Sequence, residues 1–544
     1  MKTHAELIAH WPFADDTDDH AAGLPSRTIN VEPGHAGPAN RPGTAARFDG
    51  RNSRIEVPDH RALQFGQDDF SLAVWVHTDP DQDVVGTILD KFESERRRGF
   101  HLYIHTNDGA TSTALANSRQ LSFGVDDARA DRNWADCGRP GNAVNIHGLS
   151  VINETLYAGT LETGENECGR LWRYAGGQDW VDLGNPVGCN SVHSIVEFDG
   201  HSYCSVGRYA CVGSALGETL NRTPGGQVFR VDGAGEWTDC GHPGKEAGVP
   251  DDQDTGPYNK GKADDTYALC TWNGSLYAVS NHLPGVYRYE GGRDWTRIGP
   301  DHRIMTLTVF QGALHALLNG GPVFRYEGGD RWVDCGTPEG STQTYGAAIV
   351  GGELYVGTWP GGTVCRYEGG RDWKTLGQLG YEMEIMAMTF YNGKLYSGSL
   401  PMAHVWRMDG ETFTHLATLD ESPVPLRRTW SMAIHDGRLY AGTLPGGRVQ
   451  SFEAGKSATW DRRFPGGWHH VAAVKEGRRL KLFVDGSVRS VSTPFHPADF
   501  DLDTDFPLTI GAGADTPFTG LMSDLRLYRG ALDAAEISAL STSQ

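Results

Sequence analysis

HGLSVINETLY, residues 147–157, reads as an apolar strand, a tight turn and a second strand, and it recurs without gaps six more times. The other copies are HSIVEFDGHSY (193–203), YALCTWNGSLY (267–277), MTLTVFQGALH (305–315), YGAAIVGGELY (345–355), MAMTFYNGKLY (386–396) and WSMAIHDGRLY (430–440). Most run on into A-G-T, a loop, an apolar strand such as VYRYEGGRDW (286–295), and a last strand ending in W-x-x-x-G. Four strands per unit, at a spacing of about 40 residues, is the pattern of a propeller blade. The second column of the alignment is small throughout (Gly148, Ser194, Ala268, Thr306, Gly346, Ala387, Ser431), as crowding around an axis requires. The third is apolar (Leu149, Ile195, Leu269, Leu307, Ala347, Met388, Met432), as packing on a neighbouring sheet requires.

The last copy has no clear fourth strand after GGRVQSFEAG (446–455), whereas an orphan one, DRNWADCGRP (131–140), precedes the first copy. Strand 131–138 is therefore expected to pair with the last blade. That closes a seven-bladed β-propeller over residues 129–457 and removes its exposed edges.

Composition agrees with an all-β, turn-rich globular chain: 544 residues with 71 Gly and 27 Pro. A formal charge of −21, from 48 Lys+Arg against 69 Asp+Glu, would repel a phosphate backbone, so no nucleic-acid partner is expected. No apolar run is long enough to cross a membrane, and the N-terminus lacks a leader pattern. The expectation is a cytoplasmic protein, or an exported one whose signal has been removed. The nine cysteines include no C-x-x-C pair, which argues against zinc; most read as buried thiols, and only Cys204 and Cys211 are near enough in sequence to suggest a bridge.

The flanks are not blades. ELIAHWPFADD (6–16), AARFDGRNSRIEVPD (45–59) and FSLAVWVHTD (70–79) in front alternate apolar and polar residues, as do GWHHVAAVKEGRRLKLFVDG (467–486), FPLTIGAG (506–513) and FTGLMSDLRLYRGALDAAEISAL (518–540) behind. This order of motifs resembles the laminin-G-like, concanavalin A-like jelly roll. The resemblance implies one β-sandwich split into 1–128 and 458–544, with the propeller inserted where the host chain's ends meet. It is nearly silent on chemistry, because lectins, spacers and glycanases share the fold. Some members carry a structural calcium on the sandwich rim; here Asp49 and Asp524 are the matching ligands, and the other reading of Asp49 is that it fixes its own turn. The propeller itself requires no cofactor. The sandwich lacks the paired carboxylates of a concanavalin-like glycanase.

Loop lengths single out one propeller rim. The one-to-two and three-to-four turns are minimal, so one face is plain, whereas the long inserts 204–227 and 242–265 fall on the other. There the inner strands begin with Asn145, Ser191, Asp265, Arg303, Gln343, Glu384 and Arg428, followed two residues on by His147, His193, Tyr267, Met305, Tyr345, Met386 and Trp430. Convergence of seven strands would gather these around a funnel, with Arg208, Tyr209, His282, Trp359 and His404 supplied by loops. Aromatic faces suit sugar rings, and Arg with His and Tyr suits a carboxylated sugar.

The function expected is therefore carbohydrate activity toward an oligo- or polysaccharide, with β-elimination at a uronic acid favoured over glycoside hydrolysis. His147, His193, Tyr267 and Tyr345 would be catalytic, and Arg208, Tyr209, His282, Arg303, Trp359, Glu384, Arg428 and Trp430 substrate-binding. In architecture and residue types the design is similar to propeller-type ulvan and rhamnose-glucuronate lyases, without a motif matched residue by residue. Plainer readings stand beside it. His147 and His193 could plug the funnel, Arg303 could pair with Glu384 and Arg428 with Asp265, and the aromatic residues could be packing. The alternative function is a non-catalytic glycan-binding lectin or protein-interaction scaffold.

Overall fold

The computed structural model describes residues 5–108, 115–129, 131, 133–211, 214–245 and 264–542. Residues 246–263 and 212–213, within the two long inserts, and Arg132 of the expected closing strand lie outside the described residues.

The repeats form antiparallel four-stranded meanders in a propeller-like arrangement. Three of the four separate sheets span Ile304–Asp334, Gln343–Gln378 and Glu384–Thr418. In the fourth, Arg428–His435, Arg438–Leu444 and Val449–Phe452 are completed by Ala135–Asp136, drawn from more than 300 residues earlier. Three further meanders, beginning at Asn145, Ser191 and Asp264, merge into one twelve-stranded sheet. They join edge to edge through the pairs Leu161↔Ser191 and Gly207↔Asp265.

Local chemistry dictates the meanders. Every one-to-two turn has two successive residues at positive φ, for example Asn273 (48°) with Gly274 (69°) and Asp436 (48°) with Gly437 (68°). This type I′ geometry matches the strand twist and explains the recurring Asn-Gly and Asp-Gly pairs. The glycine of A-G-T is where the next meander presses in. A Cβ on Gly357 would lie 2.6 Å from the Ile385 Cβ, and one on Gly442 would lie 2.5 Å from the Ile146 Cβ. The second contact brings the last repeat onto the first, and Ser431 Oγ donates to the Ile146 carbonyl at 2.9 Å in the same place.

The flanks build two facing sheets that mix strands from both ends of the chain. One runs in the order Glu32–His35, Ala45–Asp49, Thr519–Arg529, Phe70–Thr78, Gly467–Glu476, Arg479–Val484, Ser487–Val491, with Glu6–Trp11 also on Thr519–Arg529. The other runs Arg27–Ile29, Arg54–Val57, Leu508–Ile510, Gly86–Glu93, Arg98–Asn107, Asn117–Asp127, Lys456–Trp460. Trp11, Phe48, Phe70, Phe100, Phe123, Leu482 and Phe518 fill the core between them. Lys456–Trp460 already pairs with the sandwich, so this sheet takes up the chain two residues before 458.

The minimal turns of the repeats lie against the second sheet. Asn273 N donates to Asp83 Oδ2 (3.0 Å), Gly351 N to the Ala514 carbonyl (2.7 Å), Asp436 N to Asp461 Oδ2 (2.7 Å) and Glu154 N to the Asp461 carbonyl (2.7 Å). Asn117 both donates to and accepts from the backbone of Ile434, at 2.7 and 2.9 Å. Cys204 and Cys211 are both buried free thiols, as are most of the nine; neither forms the suggested bridge. Among the described residues the one α-helix is Ala534–Thr542, and no helix is long and apolar enough to cross a membrane.

Two carboxyls are sealed in or beside this junction. Burial pushes Asp108, which accepts from Thr308 Oγ1 at 2.6 Å, up to about 8, and Asp90 up to about 7. The folded state therefore keeps protons that the unfolded chain has lost above its ordinary carboxylate pKa of about 4. Stability should be full below about pH 4 for these groups and decline as pH rises through 7 to 8. Urea unfolding of Asp108→Asn should show that decline reduced by roughly 1–3 kcal/mol relative to the native chain; an unchanged pH slope would count against the assignment.

Candidate functional site: the decorated rim

Each inner strand carries one residue more than its partner near the rim. The extra residue falls between Ile146 and Gly148, Val192 and Ile195, Thr266 and Leu269, Ile304 and Thr306, Thr344 and Ala347, Ile385 and Ala387, and Thr429 and Ser431. A β-bulge re-aims a side chain, and the repeated one sits at the column of His147, His193, Tyr267, Met305, Tyr345, Met386 and Trp430.

These side chains form an aromatic plug. His147 and His193 stack with centroids 4.6 Å apart; Trp430 lies 5.1 Å from His147, and Tyr267 5.2 Å from His193. Tyr209 comes in edge-on to His147 at 4.7 Å. Both histidines are fully buried, and Tyr267 and Trp430 are 2% exposed. Burial lowers both imidazoles, His193 to about 3, and raises the Tyr267 phenol, so all three are neutral near pH 7. His193 Nε2 is 2.9 Å from Ser191 Oγ. Met305, Met386 and Tyr345 complete the same apolar cluster.

The polar ring lies over the plug. Ser191 contacts His193, Gln343 accepts from the Tyr345 hydroxyl, and the Arg428 guanidinium sits 5.6 Å from the centre of the Trp430 ring. Arg428 Nη2 is 3.8 Å from Glu384 Oε2, so Arg428 pairs with its neighbour Glu384 and not with Asp265. Asp265 accepts from Asn281 Nδ2 at 2.8 Å. Burial lifts Glu384 to about 7, although Arg428 and Tyr345 beside it pull the other way. The Tyr209 phenol is raised to about 12 by burial, opposed by Arg428 and Arg303. Burial raises Tyr345 further, with Glu384 adding to the shift.

The loop residues divide. Asn190 clamps Tyr209 in place, its Oδ1 accepting from Tyr209 N at 2.7 Å and its Nδ2 donating to the Tyr209 carbonyl at 2.9 Å. Asn190 escapes the sequence reading because it precedes the aligned column. Trp359 packs against the central cluster and pairs with Gln343. Arg208 donates to the Arg222 carbonyl at 3.4 Å. His282 lies edge-on to His242 at 5.1 Å, and His404 lies against His415 (4.1 Å) and Glu382 (2.7 Å). These contacts of His282 and His404 are with residues outside the plug.

Asp49 and Asp524 are not brought together. Asp49 pairs with Thr519, so Asp524 is five residues, roughly 16 Å, further along that strand. Asp49 Oδ1 accepts from the N–H groups of Arg51, Asn52 and Ser53, which hold it below the usual carboxylate range against partial burial. Asp524 is held low, also against burial, by His10 Nε2 (2.7 Å) and Arg526 Nε (2.8 Å). Among the described residues no group of three or more His, Cys, Asp or Glu is gathered for a metal.

Two outcomes are expected from the plug. NMR should show neither His147 nor His193 titrating between about pH 5 and pH 8. Trp430→Ala should cost about 3–5 kcal/mol in denaturant unfolding, as loss of a buried ring does.

A family profile described as the concanavalin A-like lectin/glucanases superfamily matches residues 426–538. No curated protein is significantly similar in sequence. Among solved structures, a catalytically inactive virginiamycin B lyase from Staphylococcus aureus with quinupristin is similar at 11% identity, covering 59% of this chain and 99% of its own (TM-score 0.43). YCF48 from Cyanidioschyzon merolae follows at 10%, 59% and 99% (TM-score 0.41). The WD40 β-propeller domain of Doa1 is similar at 11%, 59% and 97% (TM-score 0.40).

Proposed function

We propose that the seven meanders are the blades of one closed propeller inserted into the jelly roll, and that its decorated rim binds and acts on a uronate-containing glycan. The pairing of Ala135–Asp136 with Gln450–Ser451 and the contact of Gly442 with Ile146 support the ring.

One observation carries the functional reading. Arg428 and the Glu384 carboxyl, poised near neutrality, lie beside the neutral aromatic floor, whose Tyr209 and Tyr345 phenols keep their protons and feel the charge of Arg303 as well as of Arg428. In elimination, Arg303 and Arg428 neutralise the uronate carboxylate and so acidify the C5 proton. Glu384, lifted to about 7, is suited to take that proton, and the Tyr209 or Tyr345 hydroxyl to protonate the leaving O4. The C5–H electron pair becomes the C4–C5 double bond as the C4–O bond breaks. His147 and His193, buried beneath, serve this scheme as floor. That burial equally favours a second reading, a lectin that holds the glycan without cleaving it.

Incubation with a panel of uronate polysaccharides, read by the ultraviolet absorbance of unsaturated uronides, separates the two. Elimination predicts product formation, lost by about 100-fold or more in Glu384→Gln with binding retained. Binding without product leaves the lectin; absence of binding to any glycan overturns both.

A further inference from the structure

The seam where the last repeat meets the first holds two buried polar side chains whose hydrogen-bonding capacity the described residues leave unused. Asn145 is fully buried, and neither its Nδ2 nor its Oδ1 has a partner. Arg428 is 9% exposed; its Nε and Nη1 have none, while its Nη2 faces Glu384 at 3.8 Å. Buried polar groups are ordinarily satisfied, so two adjacent exceptions on a decorated rim point to a ligand that completes them.

Their adjacency follows from the fold. Strand Asn145–Ile152 packs on Arg428–His435, with Ser431 bonded to the Ile146 carbonyl and His147 5.1 Å from Trp430. In three other repeats the residue at the position of Asn145 lies against the ring two residues on: Ser191 on His193, Gln343 on Tyr345, Arg428 over Trp430. The same register puts Asn145 over His147, on the side of the seam that Arg428 occupies.

We propose that Asn145 and Arg428 form a subsite for one carboxylate with a hydroxyl beside it, the arrangement on a uronate residue. One carboxylate oxygen accepts from Arg428, the other from Asn145 Nδ2, and the neighbouring hydroxyl donates to Asn145 Oδ1. Every unused atom of the amide is then satisfied, and so is at least one guanidinium N–H. An amide that offers both a donor and an acceptor selects for this pair of groups, where a second cation would take any anion. Asn145 is thus a specificity-determining residue. The inference rests on the glycan reading above and sharpens it to the ionised, unesterified sugar acid.

The test is calorimetric titration of the full chain with a glucuronate-containing oligosaccharide, its methyl ester and its carboxyl-reduced form. The free acid should bind at least about tenfold more tightly than either derivative. Arg428→Lys and Asn145→Ala should each weaken binding of the free acid by more than they weaken binding of the ester, so that the gap between the two narrows. Asn145→Ala should also leave the melting temperature unchanged, because its amide supports no internal hydrogen bond. Equal binding of acid and ester by the native chain, a measurement that needs no variant, overturns the subsite and leaves the glycan reading standing. Binding of none of the three, together with no binding across the wider panel, removes the glycan reading itself.

Discussion

Two backbone pairs, Ala135 with Ser451 and Asp136 with Gln450, tie a segment written before the first repeat to the third strand of the last one. Cys137 N and Val449 N extend the ladder to the Val449 and Gly138 carbonyls at 2.8 and 2.9 Å, and Arg448 bonds Asp136 across it. Without this tie, Val449–Phe452 would present an unpaired edge, and the first and last inner strands would lose the fixed spacing that sets His147 against Trp430. The arrangement of side chains at the rim depends on that short ladder.

The opposite face is held by a different device. The minimal turns that look plain in sequence are a docking surface, where N–H groups left over by tight hairpins find acceptors on the sandwich sheet. Asn117, Asn392 and His101 add side-chain links, and Asn392 Nδ2 reaches the Ala454 carbonyl at 2.8 Å. Satisfying polar groups in a buried junction fixes orientation, since any rotation would strand several of them at once. The decorated rim is left on the side opposite the sandwich.

Neutral imidazoles, indole and phenols meet around His147, and Asp265, Glu384 and Arg428 are buried beside them. An ion buried there is costly unless a partner stands close. Burial, opposed by Arg428 and Tyr345, brings the Glu384 carboxyl near neutrality.

Much of this was legible in the sequence, because a repeat writes its constraints many times. The Asn-Gly and Asp-Gly turns, the small second column and the apolar third column each follow from local sterics and strand alternation, so the meanders and the polar residues at their starts could be read from the chain alone. Three things could not. The bulge in every inner strand leaves no composition signal, yet it turns His147 and His193 into a sealed stack. The partner of Arg428 is Glu384 because neighbouring repeats, and not the charges themselves, decide who meets. Asp49 and Asp524 look alike on paper and stand apart because strand register separates them. Local propensity is carried by each residue and its immediate neighbours; burial, register and adjacency belong to the assembled sheets, and these decide which of the candidate groups meet.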